Sequence, residues 1–481
     1  MAGDDSDGRT RGRFDREYGA GVPVELPTPP EVVEFGLDAG GRIRSRPTDM
    51  SSTPAGPYAL HGAVITATGA MSSGYLVIDG GVVAAVQASE PAGVDRVIET
   101  DGVILPGLID LHGHPEFNVF AAWEPPQLFA NRYRWRSSDV YHQLVRDPQD
   151  VLLTKVPTGT QLRYAEIRAL AGGVTAVQGA SGNARKAGSE PLVRNVDLWI
   201  FGAHRARSMI DLPSSTTGRD FPRLQQIVTD IGAGRLDAFY LHLCEGRRGD
   251  ERSGNEFHRF REMGAATPAT VLIHASALDA DQIHQVAEAG CKLVWSPQSN
   301  LRLYAETTLA AEAIAAGMPV GLGADWLPSG STSLLAEMKV ARRQLARQGL
   351  AVAPADLVGM VTNGAAAIAG LGDHLGELTP GRPADVLVLE RHHDDPYENV
   401  CQAEPSWVEM VLIGGDITYG RADWYTRLAA EPDSGENLLA WGKAMRLDCR
   451  FDAPPGVPVP SLADLRAALT AVYPPVGPIY A

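Results

Sequence analysis

The chain has 481 residues, 44% of them hydrophobic and 21% charged, so it can bury a sizeable core and is not globally disordered. Its formal net charge of -16, with no basic stretch to follow a phosphate backbone, argues against nucleic acid as a partner. No apolar run is long enough to span a membrane, and the opening "MAGDDSDGRTRGRFDREYG" is charged where a signal peptide would be apolar. The expectation is a soluble, cytoplasmic protein. The four cysteines, Cys244, Cys291, Cys401 and Cys449, form no CxxC pair, which indicates neither a disulfide framework nor a thiolate zinc site.

In chain order, residues 1–53 are rich in Gly, Pro and charge and read as a loosely ordered arm. Residues 54–106 hold short β-prone runs broken by Gly: "YALHGAVITAT", "SSGYLVIDGGVVAAVQ" and "DRVIETDGVILPG". Residues 107–370 alternate apolar strand-like runs with amphipathic helical stretches closed by Gly. The strand candidates are "GLIDLH", "GVTAVQGA", "LWIFGAH", "DAFYLHL", "TVLIHA", "KLVWS" and "MPVGLGAD", with an eighth placed in "RSMIDLPSS". Such repeated βα units predict an α/β fold built on a distorted (β/α)8 TIM barrel. Residues 371–425 return to the texture of the first flank, so the two flanks are expected to form one small β-sandwich domain. Residues 426–481 read as a helical, Pro-rich extension that either caps a neighbouring subunit or runs along the surface.

Functional side chains of a parallel barrel gather where its strands end. His112 and His114 follow "GLIDL", and their i, i+2 spacing points both rings to one side of a strand. His242, His274 and Asp325 end three later apolar runs. Imidazoles and a carboxylate suit Zn(II) or Fe(II), and an ion with an open position can activate water. Three of these histidines and the aspartate would hold the ion. Glu245 lies three residues beyond His242, where it can pass a proton from water to a leaving group. His274 is placed to polarise the reacting carbon or hold the water, and Asp325 to accept a proton as well.

"PGLIDLHGH", "HLCEG", "LIHAS", "SPQSNLRL", "GLGADWLPSGS" and "NGAAAIAGL…GELTPGRPADVLVL" follow one another over about residues 58–420. In that order they resemble the amidohydrolase superfamily, and within it the branch of S-adenosylhomocysteine, guanine and cytosine deaminases and triazine hydrolases. The resemblance implies C–N bond hydrolysis with one divalent metal held by His112, His114, His242 and Asp325, with Glu245 as the proton shuttle and His274 orienting substrate or water, and it places Asn300 in a structural or substrate-facing segment. Two-metal members bridge their ions through a carboxylated lysine on strand four. No lysine lies between Lys186 and Lys292, and both Lys155 and Lys186 fall outside any plausible strand four, so a single ion is expected.

After His114 the chain departs from that branch. "PEFNVFAAWEPPQLFANRYRWRSSDVYHQL" is rich in aromatic residues and arginines, and it is expected to form a pocket wall in which Trp135 and Arg134 bind substrate. Trp326, beside Asp325, is expected to narrow the pocket. His204 ends "LWIFGAH" and either lines the pocket or is structural. The remaining histidines, in flank, helices or loops, read as ordinary, and Cys244 as a buried filler. The leading expectation is deamination of a small N-heterocycle by a homo-oligomeric enzyme, dimer or larger. The rivals are ring opening of a cyclic amide, as in imidazolonepropionase, and a non-catalytic scaffold homologue, although no metal ligand is missing.

Overall fold

The computed structural model describes residues 56–157, 159–179, 191–198, 200–203, 205–429, 435–449, 459–477 and 479–480. The expected arm, His204 and Lys186 lie outside the described residues. The described residues open with β1 (Tyr58–Thr66), β2 (Gly69–Asp79), β3 (Val82–Gln87) and β4 (Val97–Pro106). β1 pairs antiparallel with β2 and parallel with β4. Gly107 alone separates β4 from β5 (Leu108–Asp110), and a Cβ there would lie 2.2 Å from Thr175 Oγ1, so only glycine lets the two strands run on.

β5 pairs parallel with β6 (Val174–Val177), and β6 with β7 (Arg194–Asn195). A second parallel sheet joins β8 (Ala206–Met209), β9 (Ala238–Leu243), β10 (Thr270–His274), β11 (Lys292–Trp295) and β12 (Val320–Leu322) in sequence order. The sheets meet where Leu111 N–H donates to Leu322 O at 3.2 Å and Asp325 N–H to His112 O at 2.9 Å. Every residue of β9 and β10 is buried, which is why both strands read as apolar runs rather than alternating ones. Helices follow the later strands: Phe221–Gly232, Glu251–Glu262, Ala280–Glu288, Pro297–Tyr304 and Leu334–Arg347. Ala280–Glu288 is started by a reciprocal capping box between Asp279 and Gln282.

One strand expectation is corrected. "LWIFGAH" is a turn among its described residues, with Phe201 and Gly202 at φ of 48° and 75° and Ile200 bridged to Ala203. The strand beside β6 comes earlier, at Arg194–Asn195. The strand placed in "RSMIDLPSS" is β8, paired with β9.

The last described strands are β13 (Val386–Leu389), β14 (Val408–Ile413), β15 (Asp416–Arg421), β16 (Glu436–Ala440) and β17 (Lys443–Leu447). These strands and the first four form one nine-stranded sheet, ordered β16-β17-β15-β14-β13-β4-β1-β2-β3. The flanks meet at the antiparallel β4–β13 pair. The hairpin β16–β17 extends this sheet into the segment expected to be helical and Pro-rich. Beyond it, helix Leu462–Thr470 packs on helix Thr160–Ala171 of the same chain. Among the described residues, no helix is long and apolar enough to cross a membrane.

Candidate metal centre and active site

The end of β5 delivers His112 and His114. Asp110 Oδ1 accepts the backbone N–H groups of His112 (3.2 Å) and Ala324 (3.1 Å), tying the ends of β5 and β12 together. A Cβ at Gly323 would lie 2.5 Å from His112 Cβ, so the bare glycine permits this approach. Left-handed backbone recurs at three strand ends: Cys244 (φ 50°), His274 (65°) with Ala275 (51°), and Asp325 (59°). Such conformations are costly for residues other than glycine and gather at functional sites. At Cys244 the break in strand geometry interrupts the alternation after His242, and the next residue, Glu245, lines the cavity. Cys244 is itself buried, with its N–H donating to Glu256 Oε2 at 2.8 Å.

These strand ends converge. His112 Nε2 lies 3.2 Å, and His114 Nε2 3.5 Å, from Asp325 Oδ1. The His112 ring is 4.8 Å from that of His242 and 5.1 Å from that of His274, centroid to centroid. Two overlapping triples, His112–His242–His274 and His112–His114–Asp325, have donor atoms mutually within 4.8 Å. Both ring nitrogens of His112 and Nδ1 of His242 are buried without a hydrogen-bond partner. Buried polar atoms are rarely left so, and imidazole nitrogens facing a carboxylate fit a cation.

The electrostatics suit the same reading. Burial pushes His242 well below its ordinary range, and neighbouring histidines push it further. Burial likewise takes His114 and His274 down to about 3. Neutral imidazoles are the form that ligates metal. Burial alone would raise Asp325, but His112, His274 and His114 hold its carboxyl well below the usual range. For His112, burial works downward as the largest single cause, and Asp325, Asp110 and Glu245 together outweigh it, so the net shift is upward. Burial also raises Glu245, against the opposing pull of Arg132 and Tyr304, which favours a carboxyl able to hold a proton.

The hydrogen-bond directions around His274 follow from its neighbours. Trp295 Nε1 can only donate, and it lies 2.7 Å from Thr307 Oγ1. The threonine hydroxyl passes its own proton to Asn300 Oδ1 at 3.3 Å, which turns the Asn300 amide nitrogen toward His274 Nδ1 at 3.1 Å. His274 Nδ1 is thus an acceptor, and the neutral ring carries its proton on Nε2. That nitrogen lies 3.8 Å from Glu245 Oε2 and 4.0 Å from Asp325 Oδ2. A protonated Nε2 donates; it is not a metal ligand. Opposite, Tyr304 donates to Glu245 Oε1 at 2.6 Å, while Trp135 Nε1 donates to the Tyr304 oxygen at 2.8 Å.

Above these groups a cavity encloses about 460 Å³ of space, its open mouth included. Phe117, Trp135, Tyr141 and Trp326 wall it, and the rings of Trp135 and Trp326 lie 5.3 Å apart. Arg134 does not reach it: the residue is exposed, and its N–H donates to the Asn131 side chain at the start of helix Arg132–Arg136. That correction follows from helix phase, which turns Arg132 and Arg136 to the cavity instead. Arg132 is buried and donates to Ile210 O (2.9 Å) and His242 O (3.3 Å), bracing the end of β9, while Arg136 grips both oxygens of Asp211 at 3.1 and 3.2 Å. Asn300 is fully buried and does not line the cavity; it acts on His274. Tyr304 and Asp110 escaped the sequence reading, although Tyr304, four residues after Asn300, shares its helix face.

Among the described residues no lysine lines the cavity. Lys155 ends a helix, Lys292 opens β11 and donates to Ile368 O, and Lys339 and Lys443 pair with Glu404 and Glu390.

Residues 224–418 match the amidohydrolase family. The 5-methylthioadenosine/S-adenosylhomocysteine deaminase of Teredinibacter turnerae is 26% identical over 343 residues, covering 63% of this chain and 74% of its own. The 8-oxoguanine deaminase of Pseudomonas aeruginosa is 24% identical over 412 residues, covering 73% and 91%. Among solved structures, an adenosine deaminase from Xanthomonas campestris with bound zinc superposes with a TM-score of 0.61 at 17% identity, over 88% of this chain and 99% of that one. The triazine hydrolase of Arthrobacter aurescens does so with a TM-score of 0.60 at 18% identity, over 88% and 100%. These superpositions establish a shared mixed α/β fold.

Proposed function

We propose that this chain, an amidohydrolase-family relative, is a metal-dependent hydrolase that deaminates a small N-heterocycle or otherwise cleaves one of its C–N bonds. One observation carries the reading: His112 Nε2 and His114 Nε2 lie 3.2 and 3.5 Å from Asp325 Oδ1, the His112 and His242 rings lie 4.8 Å apart, and His114, His242, Glu245 and Asp325 line one aromatic cavity. We assign His112, His114, His242 and Asp325 to a single Zn(II) or Fe(II) ion. Such an ion would supply Lewis acidity and bring a water's pKa toward about 7.

The chain's own residues account for the rest. Glu245 takes the proton of the attacking water and delivers it to the departing nitrogen. His274 donates from Nε2 to the reacting group as charge develops there. Trp135 and Trp326 hold a planar ring against the floor and exclude solvent. The two parallel sheets are read as one distorted (β/α)8 barrel over residues 107–370, and the flanks as a β-sandwich. The working assembly is taken to be a cytoplasmic homo-oligomer.

Metal analysis joined to an ammonia-release assay over aminated heterocycles, with cyclic amides in parallel, tests this. One ion per chain is expected, with Glu245→Gln retaining it but losing about 10²- to 10⁴-fold in kcat. Two ions at full occupancy would sink the mononuclear assignment, a fully active Glu245→Gln the proton role, and silence across both substrate sets the hydrolase itself.

A further inference from the structure

We infer that Tyr304 is a positioning residue that dictates which oxygen of Glu245 handles the proton, and that it links that choice to the pocket wall through Trp135. The inference rests on the hydrolase reading above. Three buried side chains carry it. Trp135 Nε1 has a proton and no lone pair, and it lies 2.8 Å from the Tyr304 oxygen. The tyrosine must therefore aim its own proton elsewhere, and the acceptor is Glu245 Oε1 at 2.6 Å. Trp135 is 8% exposed, Tyr304 0% and Glu245 5%, so bulk water does not compete freely for these bonds.

The consequence is asymmetric. A protonated carboxyl accepts a hydrogen bond better through its carbonyl oxygen than through its hydroxyl oxygen, and the tyrosine proton is aimed at Oε1 from 2.6 Å. Oε1 is held as an acceptor, and the proton that Glu245 gains resides on Oε2. Oε2 is the oxygen 3.8 Å from His274 Nε2, on the side where the reaction takes place. Without the tyrosine hydroxyl, either oxygen can hold the proton, and a proton on Oε1 points away from the leaving group. Asn300 and Tyr304, four residues apart on helix Pro297–Tyr304, thus hold His274 and Glu245 from one helix face. Trp135 also lines the cavity, so a ring seated on it bears on the same hydroxyl.

Two measurements separate this from a plain structural role. On a substrate identified by the panel, Tyr304→Phe is expected to lower kcat about 10- to 100-fold with KM nearly unchanged. In a Glu245→Gln background the same change should alter the residual kcat by less than about twofold, because Tyr304 acts through Glu245. Independent losses that multiply, or an unaffected kcat, would overturn the inference. The second measurement needs neither substrate nor metal: ¹⁹F NMR of protein labelled with 5-fluorotryptophan, the Trp135 line assigned with Trp135→Phe. Glu245→Gln should move that line when Tyr304 is present and leave it in place in Tyr304→Phe. A Trp135 line blind to Glu245→Gln in the Tyr304 protein also overturns the link. Should the wild-type protein turn over nothing on the panel, the hydrolase reading fails, and the ¹⁹F result alone decides the Tyr304 link.

Discussion

The proton on His274 is assigned by a residue that never touches the cavity. Asn300 presents its amide nitrogen because Thr307, itself held by Trp295, occupies its oxygen. Asn300→Asp replaces that donor with an acceptor, draws the ring proton to Nδ1 and leaves a lone pair facing Glu245. The expected outcome is a loss in kcat on the order of 10²-fold with metal content held and the melting temperature lowered, because the new carboxylate is fully buried; steady-state kinetics beside metal analysis checks it, and an unchanged kcat would show that the donor direction is immaterial. That His112, His114, His242, His274 and Asp325 meet is legible in the sequence, because polar residues ending apolar strands of a parallel fold have one place to go. The role of Asn300 is not, since it depends on Trp295 and Thr307 arriving on different elements. Helix phase in the five-residue Arg132–Arg136 was equally hidden, which is why Arg134 stood in for its neighbours.

Elements that are long and apolar announce themselves, and those held in place by one contact do not. β9 and β10 are buried throughout and read as strands; β7 has two residues and is fixed by a side chain. Arg194, in β7, grips Asp385 just before β13 through Nε (2.6 Å) and Nη2 (2.8 Å), and Asp385 also accepts Gly414 N–H at 2.8 Å. The pair joins the short parallel sheet to the nine-stranded one, with side-chain exposures of only 7% and 5%. Arg194→Ala would leave a buried carboxylate without its cation. A loss of about 3–5 kcal/mol in unfolding free energy is expected, measurable by urea denaturation. A loss below about 1 kcal/mol, the scale of an exposed pair, would mean that the sheets are not coupled through this bridge. "LWIFGAH" failed as a strand for a related reason: its apolar residues satisfied the pattern, but Phe201 and Gly202 reverse the chain.

At the scale of the whole molecule, both ends of the chain frame the site. The first and last strands share one sheet across β4 and β13, and composition alone made that union legible. The hairpin β16–β17 was not legible, because Glu436–Ala440 alternates around partly exposed residues and gains its place by pairing. The tail beyond it reaches the pocket wall. Tyr473 packs on Phe120 with ring centroids 4.9 Å apart and accepts Ala121 N–H at 3.3 Å. Phe120 lies 5.9 Å from Phe117, which lines the cavity and meets Trp326 at 5.6 Å. Tyr164 anchors the same tail by donating to Gly477 O at 2.5 Å. Removing the Tyr473 ring should therefore loosen the aromatic wall while leaving the strand ends and their histidines where they are. Tyr473→Ala is expected to raise KM by up to about tenfold, a change of about 1.4 kcal/mol in binding, with kcat and metal content little changed. Kinetics on the substrate found by the panel reads the split. A fall in kcat at constant KM would place the tail's influence on the proton-handling groups instead of the wall.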